Sequence, residues 1–152
     1  MRPAPTSFLG LVLVLAASAG CSRLSGSSRP EASPESVVRA WLEAVDDAPG
    51  SEAAALRSFA LLSEAARANL DERSRRTNVL FGRRTRADEM IVHGMSGLRF
   101  RPSRFETRAE GATAQVVVSG NENERAVFSC VREGDGWHVD LALPPLPAQI
   151  RH

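Results

Sequence analysis

From Ser33 onward the apolar residues keep two different periods, first helical and then alternating. Val38, Trp41, Leu42 and Val45 stand at i, i+3, i+4 and i+7, one stripe of an amphipathic helix. Ser33-Pro34-Glu35 supplies its start: a capping serine, a proline where no backbone donor is needed, and a carboxylate at the positive end of the helix dipole. Asp46-Asp47-Ala48-Pro49-Gly50 ends it. A second start at Ser51-Glu52 carries Leu56, Phe59 and Leu62. A third, at Ser63-Glu64, carries Ala66 and Leu70, continues toward Leu80-Phe81 and stops at Gly82. From about Met90 the period becomes two, and strands are expected near Met90–Phe100, Ser103–Ala109, Thr113–Ser119, Arg125–Arg132 and Trp137–Leu141. Arg101-Pro102, Glu110-Gly111, Gly120-Asn121-Glu122-Asn123 and Gly134-Asp135-Gly136 are turn chemistry. Links this short join antiparallel neighbours. The pattern predicts an α+β domain, its N-terminal helices packed on one face of a curved antiparallel sheet of four to five strands.

Ahead of the domain, residues 1–20 read as a secretion signal: Arg2, an apolar run from Phe8 to Ala17, then Ser18-Ala19-Gly20 before Cys21. The run is shorter than the roughly 20 residues that span a bilayer. Ala17-Ser18-Ala19-Gly20-Cys21 resembles the lipobox of bacterial lipoproteins, with Ser18 where leucine is commonest. That resemblance implies removal of residues 1–20 and acylation of Cys21 by palmitate-type chains, each buried methylene contributing about 0.8 kcal/mol to anchoring. The competing reading is an ordinary cleaved signal with an incidental cysteine. Residues 21–32 are polar and poor in apolar side chains, as a flexible tether must be. Ser22 after the cysteine leans toward the outer membrane, facing the periplasm. The expected organisation is signal 1–20, tether 21–32, domain 33–143 and a proline-rich strap 144–152, whose Pro144-Pro145-Leu146-Pro147 cannot extend a sheet.

Three segments carry a second resemblance. Ser33-Pro34-Glu35-Ser36-Val37-Val38-Arg39-Ala40-Trp41-Leu42-Glu43-Ala44, Leu61-Leu62-Ser63-Glu64-Ala65-Ala66-Arg67 and Val131-Arg132-Glu133-Gly134-Asp135-Gly136-Trp137-His138-Val139-Asp140-Leu141 resemble the nuclear-transport-factor-two-like superfamily, in particular its small bacterial lipoproteins. The resemblance implies a helix-backed half-barrel cone over residues 33–143. Its members include isomerases, dehydratases and transport adaptors, so it does not fix an activity.

Composition narrows the chemistry. All 19 basic residues are arginine and tyrosine is absent, which removes Schiff-base chemistry, a phosphate-loop lysine and a phenolic acid. The lost phenol is the usual acid partner in the superfamily's steroid isomerases. Candidate acid-base residues for a cone are His93, His138, Asp140, Glu106 and Asp46. His138 and Asp140 share one face of the last strand and Trp137, Val139 and Leu141 the other; the bulky trio claims the core, which leaves the pair on a solvent face. His93 beside Gly94 is either a pocket base or a structural histidine. Cys130 continues the alternation of Ala126 and Phe128, as a buried thiol does. No metal spacing, dinucleotide loop or other cofactor motif occurs.

Arg73, Arg75, Arg76, Arg83, Arg84 and Arg86 form a basic cluster, flanked by Asp71, Glu72, Asp88 and Glu89. Export argues against nucleic acid and leaves two readings, contact with anionic lipid, lipopolysaccharide or polymer and a solvated helix face. Removal of residues 1–20 takes Arg2 with it, so the remaining charge is balanced and the cluster is a local feature. The sequence therefore predicts a lipid-anchored cell-envelope protein acting as a non-catalytic binding or interaction module. Its expected partners are the membrane, a small apolar ligand in the cone, an envelope protein or a second copy. The alternative is an isomerase- or dehydratase-like enzyme using a histidine and a carboxylate.

Overall fold

The computed structural model describes residues 32–94, 98–134 and 136–146. The signal, Cys21, nearly all of the tether and the last six residues lie outside them. Ser33 Oγ accepts the backbone N–H of Ser36 at 3.1 Å, and the first helix, α1, runs Pro34–Asp47 from that cap. Its stripe is the expected one: Val37, Val38, Trp41, Leu42 and Val45 are all buried. After a short 3-10 turn at Ala48–Gly50, α2 spans Glu52–Ala60, capped by Ser51, whose hydroxyl accepts from Ala54 N–H at 3.2 Å. The expected inward residue Leu56 instead stands half exposed, while Ala54, Ala55 and Ser58 face inward. Small residues let α2 lie close against α1, and a leucine at that contact would hold them apart. The third helix, α3, spans Glu64–Phe81 and ends where Gly82 adopts φ 62° and returns its N–H to Asn78 O at 3.0 Å.

Of the strand expected at Met90–Phe100, the described residues 90–94 and 98–100 form none. Residues Ala87–Gly94 are a fourth helix, α4, with Asp88 and Glu89 in its first turn. Ala87, Met90 and Ile91 are spaced i, i+3, i+4 and turn toward the core, a helical stripe too short to outweigh a run of β-favouring residues in a pattern reading. The sheet accordingly has four strands among the described residues. They are β1 (Arg104–Glu110), β2 (Thr113–Ser119), β3 (Arg125–Glu133) and β4 (Gly136–Asp140), an antiparallel meander in sequence order. Gly111, at φ 59°, makes the tight β1–β2 turn, and Asn123, at φ 62°, serves the longer β2–β3 loop.

Alternation sends Ala114, Val116 and Val118 of β2, Phe128 and Cys130 of β3 and Val139 of β4 toward the helices. Trp41 crosses Phe128 with ring centroids 5.7 Å apart at 59°. Val38, Leu62, Ile91, Val116, Val118 and Val139 are fully buried, each worth about 1.5–3 kcal/mol over exposure. Leu62 belongs to the α2–α3 link, which runs parallel to β4: Val139 N–H donates to Leu61 O and Ser63 N–H to Val139 O, both at 2.9 Å. That link covers the β4 edge, which would otherwise offer unpaired backbone groups. From the middle of α3, the Arg73 guanidinium donates to the Pro144 carbonyl and fixes the start of the strap; Leu141 and Leu143 pack against the core.

Candidate functional site

The helix-facing side of the sheet is filled by its own core, so open space lies on the opposite face. There the register sets Arg108 and Glu110 of β1 beside Gln115 and Thr113 of β2, and Ser129 of β3 beside Asp140 of β4. These residues, with Ala114, Cys130 and Val131, line a cavity of about 410 Å³. Its walls carry one guanidinium and two carboxylates. Asp140 is committed to the fold, since its Oδ1 accepts the Ser63 hydroxyl at 2.7 Å. The same hydroxyl oxygen accepts Ala66 N–H at 3.1 Å, so Ser63 caps α3 and ties it to β4 at once. Glu133 completes the junction: both its carboxylate oxygens accept Glu64 N–H, at 2.9 and 3.1 Å, at the positive end of the helix.

Burial, reinforced by the Asp140 charge, pushes the Cys130 thiol up to about 11. It is therefore protonated at neutral pH and is no nucleophile there. His138 departs from expectation. It is 8% exposed rather than on a solvent face, because the Leu61–Ser63 segment lies along β4. Asp140 is half-buried on the same face of the strand. Glu106 is exposed and pairs with Arg104 at 2.9 Å, and Asp46 is exposed at the end of α1. His93 lies in α4, and its side chain is outside the described residues. No group of three or more His, Cys, Asp or Glu among the described residues is placed to hold a metal ion.

The arginine cluster divides in two. Arg75 and Arg76 both engage Glu72, and these hydrogen bonds, Arg76 first, hold its carboxyl below the usual range. Arg73 donates to Asn69 Oδ1 at 2.7 Å and to the strap. Arg86 binds Asp88 and Glu52, which raises its own pKa and lowers that of the buried Asp88. Arg83 and Arg84 are exposed in the α3–α4 loop. They sit beside a feature the helical reading passed over: Val79, Leu80 and Phe81 are 81, 76 and 70% exposed. The signal was in the sequence, since three successive apolar residues on a helix cannot share one face. No helix of the described residues is long and apolar enough to cross a membrane.

No family model matches the chain, and neither does any curated protein or solved structure.

Proposed function

We propose that this chain is a lipid-anchored bacterial cell-envelope protein whose α+β domain is a nuclear-transport-factor-two-like fold working as a non-catalytic binding or interaction module. One observation carries the choice of module over enzyme. The helix-facing side of the sheet, where a cone would hold substrate, is occupied by Val38, Trp41, Ile91, Val116, Phe128 and Val139. An acid-base pair needs a cavity in which a substrate atom approaches both groups to about 3 Å. Here Asp140 is bound to Ser63, and the Cys130 thiol stays protonated at neutral pH. The accessible surface is the outer sheet face, where the half-exposed Val127 lies among Arg104, Glu106, Arg108, Gln115 and Ser129. Mixed charge around a modest apolar centre suits a protein partner or a second copy.

Anchoring is supported by the Ala17–Cys21 pattern and the polar stretch that follows. Mass spectrometry of the mature protein extracted from membranes tests it. The expected product begins at Cys21 with acyl chains on that residue; a product starting at an unmodified Cys21 overturns the anchor. Size measurement in solution tests pairing through the outer face: self-association weakened by Val127→Glu is expected, and a strict monomer removes a second copy as the partner.

A further inference from the structure

The α3–α4 connection forms a tip whose backbone is fixed while its side chains are left unused by the fold. Asn78 clasps Thr85: its Oδ1 accepts Thr85 N–H at 2.6 Å and its Nδ2 donates to Thr85 O at 2.9 Å. The Ser74 hydroxyl donates to the same carbonyl. Gly82 reverses the chain at φ 62°, and past Thr85 the Arg86 guanidinium is locked to Asp88 and Glu52. On the last turn of α3, leading into this braced loop, stand Val79, Leu80 and Phe81, exposed by 70 to 81%. Arg83 and Arg84 follow them, both exposed and, among the described residues, engaged in no hydrogen bond or ion pair.

Successive helical residues are roughly 100° apart, so the three apolar side chains spread over more than half of the helix circumference. A groove in a partner protein reads a helix through an i, i+3, i+4, i+7 stripe. A tip that is apolar on several sides suits immersion in an apolar medium. The charges behind it favour an anionic one. Arg83 and Arg84 border a shallow depression of about 520 Å³ that also includes Arg75, Asn78 and Asp71. Arg75 is neutralised by Glu72, and Asp71 offsets one of the two remaining arginines, which leaves a net positive rim. Guanidinium forks fit phosphate oxygens, and arginine stems keep the charge at headgroup level while the neighbouring chain sinks deeper.

We infer that this tip is an interfacial anchor: Val79, Leu80 and Phe81 enter the acyl boundary of an anionic bilayer, and Arg83 and Arg84 hold lipid phosphates above them. The inference rests on the envelope reading for the presence of a membrane, while the insertion itself needs no acyl group on Cys21.

The test uses the mature chain, residues 21–152, carrying Cys21→Ser and a spin label at Leu80→Cys. Buried Cys130, 1% exposed, resists labelling. On vesicles of phosphatidylethanolamine with one quarter phosphatidylglycerol at low salt, the label is expected to be open to oxygen and shielded from aqueous nickel. A label at the outer-face control Val127→Cys is expected to stay in water. Arg83→Ala with Arg84→Ala should lower the docked-to-free ratio of the tip about 30-fold, at about 1 kcal/mol per arginine. A nickel-accessible label at position 80 on these vesicles overturns the inference, and so does a chain that does not sediment with them. Immersion of the label at 127 instead, or immobilisation of the label at 80 without vesicles, overturns it as well. Absence of acylation on Cys21 leaves the tip result standing, and a tip that stays in water leaves acylation standing, so the two failures are told apart.

Discussion

Cys130 makes the domain's stability fall at alkaline pH in a way this chain is unusually suited to reveal. Its thiol, 1% exposed and near Asp140, titrates at about 11 in the folded protein against 9.0 for the free side chain. Between those values the unfolded chain loses a proton that the folded chain keeps. Fewer protons on the unfolded state mean that stability declines as pH rises through this window and is whole below it. Two pH units set a ceiling of about 2.7 kcal/mol, with about 1.4 kcal/mol lost by pH 10 and about 2 kcal/mol by pH 11. With no lysine and no tyrosine in the chain, no other type of side chain titrates there, and arginine stays charged. Urea unfolding followed by the fluorescence of Trp41 and Trp137 at pH 8, 9, 10 and 11 measures the decline. Cys130→Ala starts lower, by about 1 kcal/mol for the lost packing, but its stability should stay flat across the window. Wild type and variant falling in parallel would refute the assignment of the loss to this thiol.

Three sites test the packing of the domain. Ser63→Ala removes both the α3 cap and the hydroxyl held by Asp140, for an expected loss of about 2–4 kcal/mol in urea unfolding. In a double-mutant cycle with Asp140→Ala the coupling should reach about 1 kcal/mol, and simple additivity would deny that the bond joins helix to sheet. Gly82 and Gly50 have equally open surroundings for an added Cβ, but only Gly82 has positive φ. Gly82→Ala should therefore cost about 1 kcal/mol and Gly50→Ala nothing or less, and equal effects in thermal unfolding would sink the backbone argument. Trp41→Phe keeps the contact with Phe128 and discards an indole N–H that is buried without a hydrogen bond among the described residues. It should cost under about 1.5 kcal/mol, against about 3–5 for Trp41→Ala, as read from the urea midpoint.

What was legible in the sequence followed from strong local rules. Serine caps and the stop at Gly82 set the bounds of three helices, and turn residues set the sheet register, so that β2 runs Thr113–Ser119 as the alternation requires. The misreadings were tertiary. Met90-Ile91-Val92 is a short apolar run that fits a strand or a buried helix, and only packing beside α2 and α3 decides it. His138 lies on the face of β4 that alternation assigns to solvent, and it is buried because a distant segment, Leu61–Ser63, runs beside that strand. Alternation reports which side of a strand a residue takes, not what else comes to cover that side. The six clustered arginines read alike in sequence, yet carboxylates placed by the fold absorb some and leave others free.

That division gives the all-arginine composition a physical sense. Glu72 receives two guanidiniums, from Arg75 and Arg76, three and four residues on and so each about one turn away. Arg86 bridges Glu52 of α2 and Asp88 of α4, which a planar group with several donors does and a single ammonium does poorly. The bridge fixes the far end of the α3–α4 loop, and Asn78 with Ser74 closes the loop by tying the adjacent Thr85 back to α3. Between these two clasps the chain displays Val79, Leu80, Phe81, Arg83 and Arg84 in an orientation set before any ligand arrives. Ordering a flexible loop on binding would cost about 1–2 kcal/mol for each residue fixed, which is comparable to what each exposed side chain gains by leaving water. A braced tip escapes most of that cost. The internal ion pairs of the cluster and its outward-facing pair thus belong to one device: the first group sets the geometry in which the second can act.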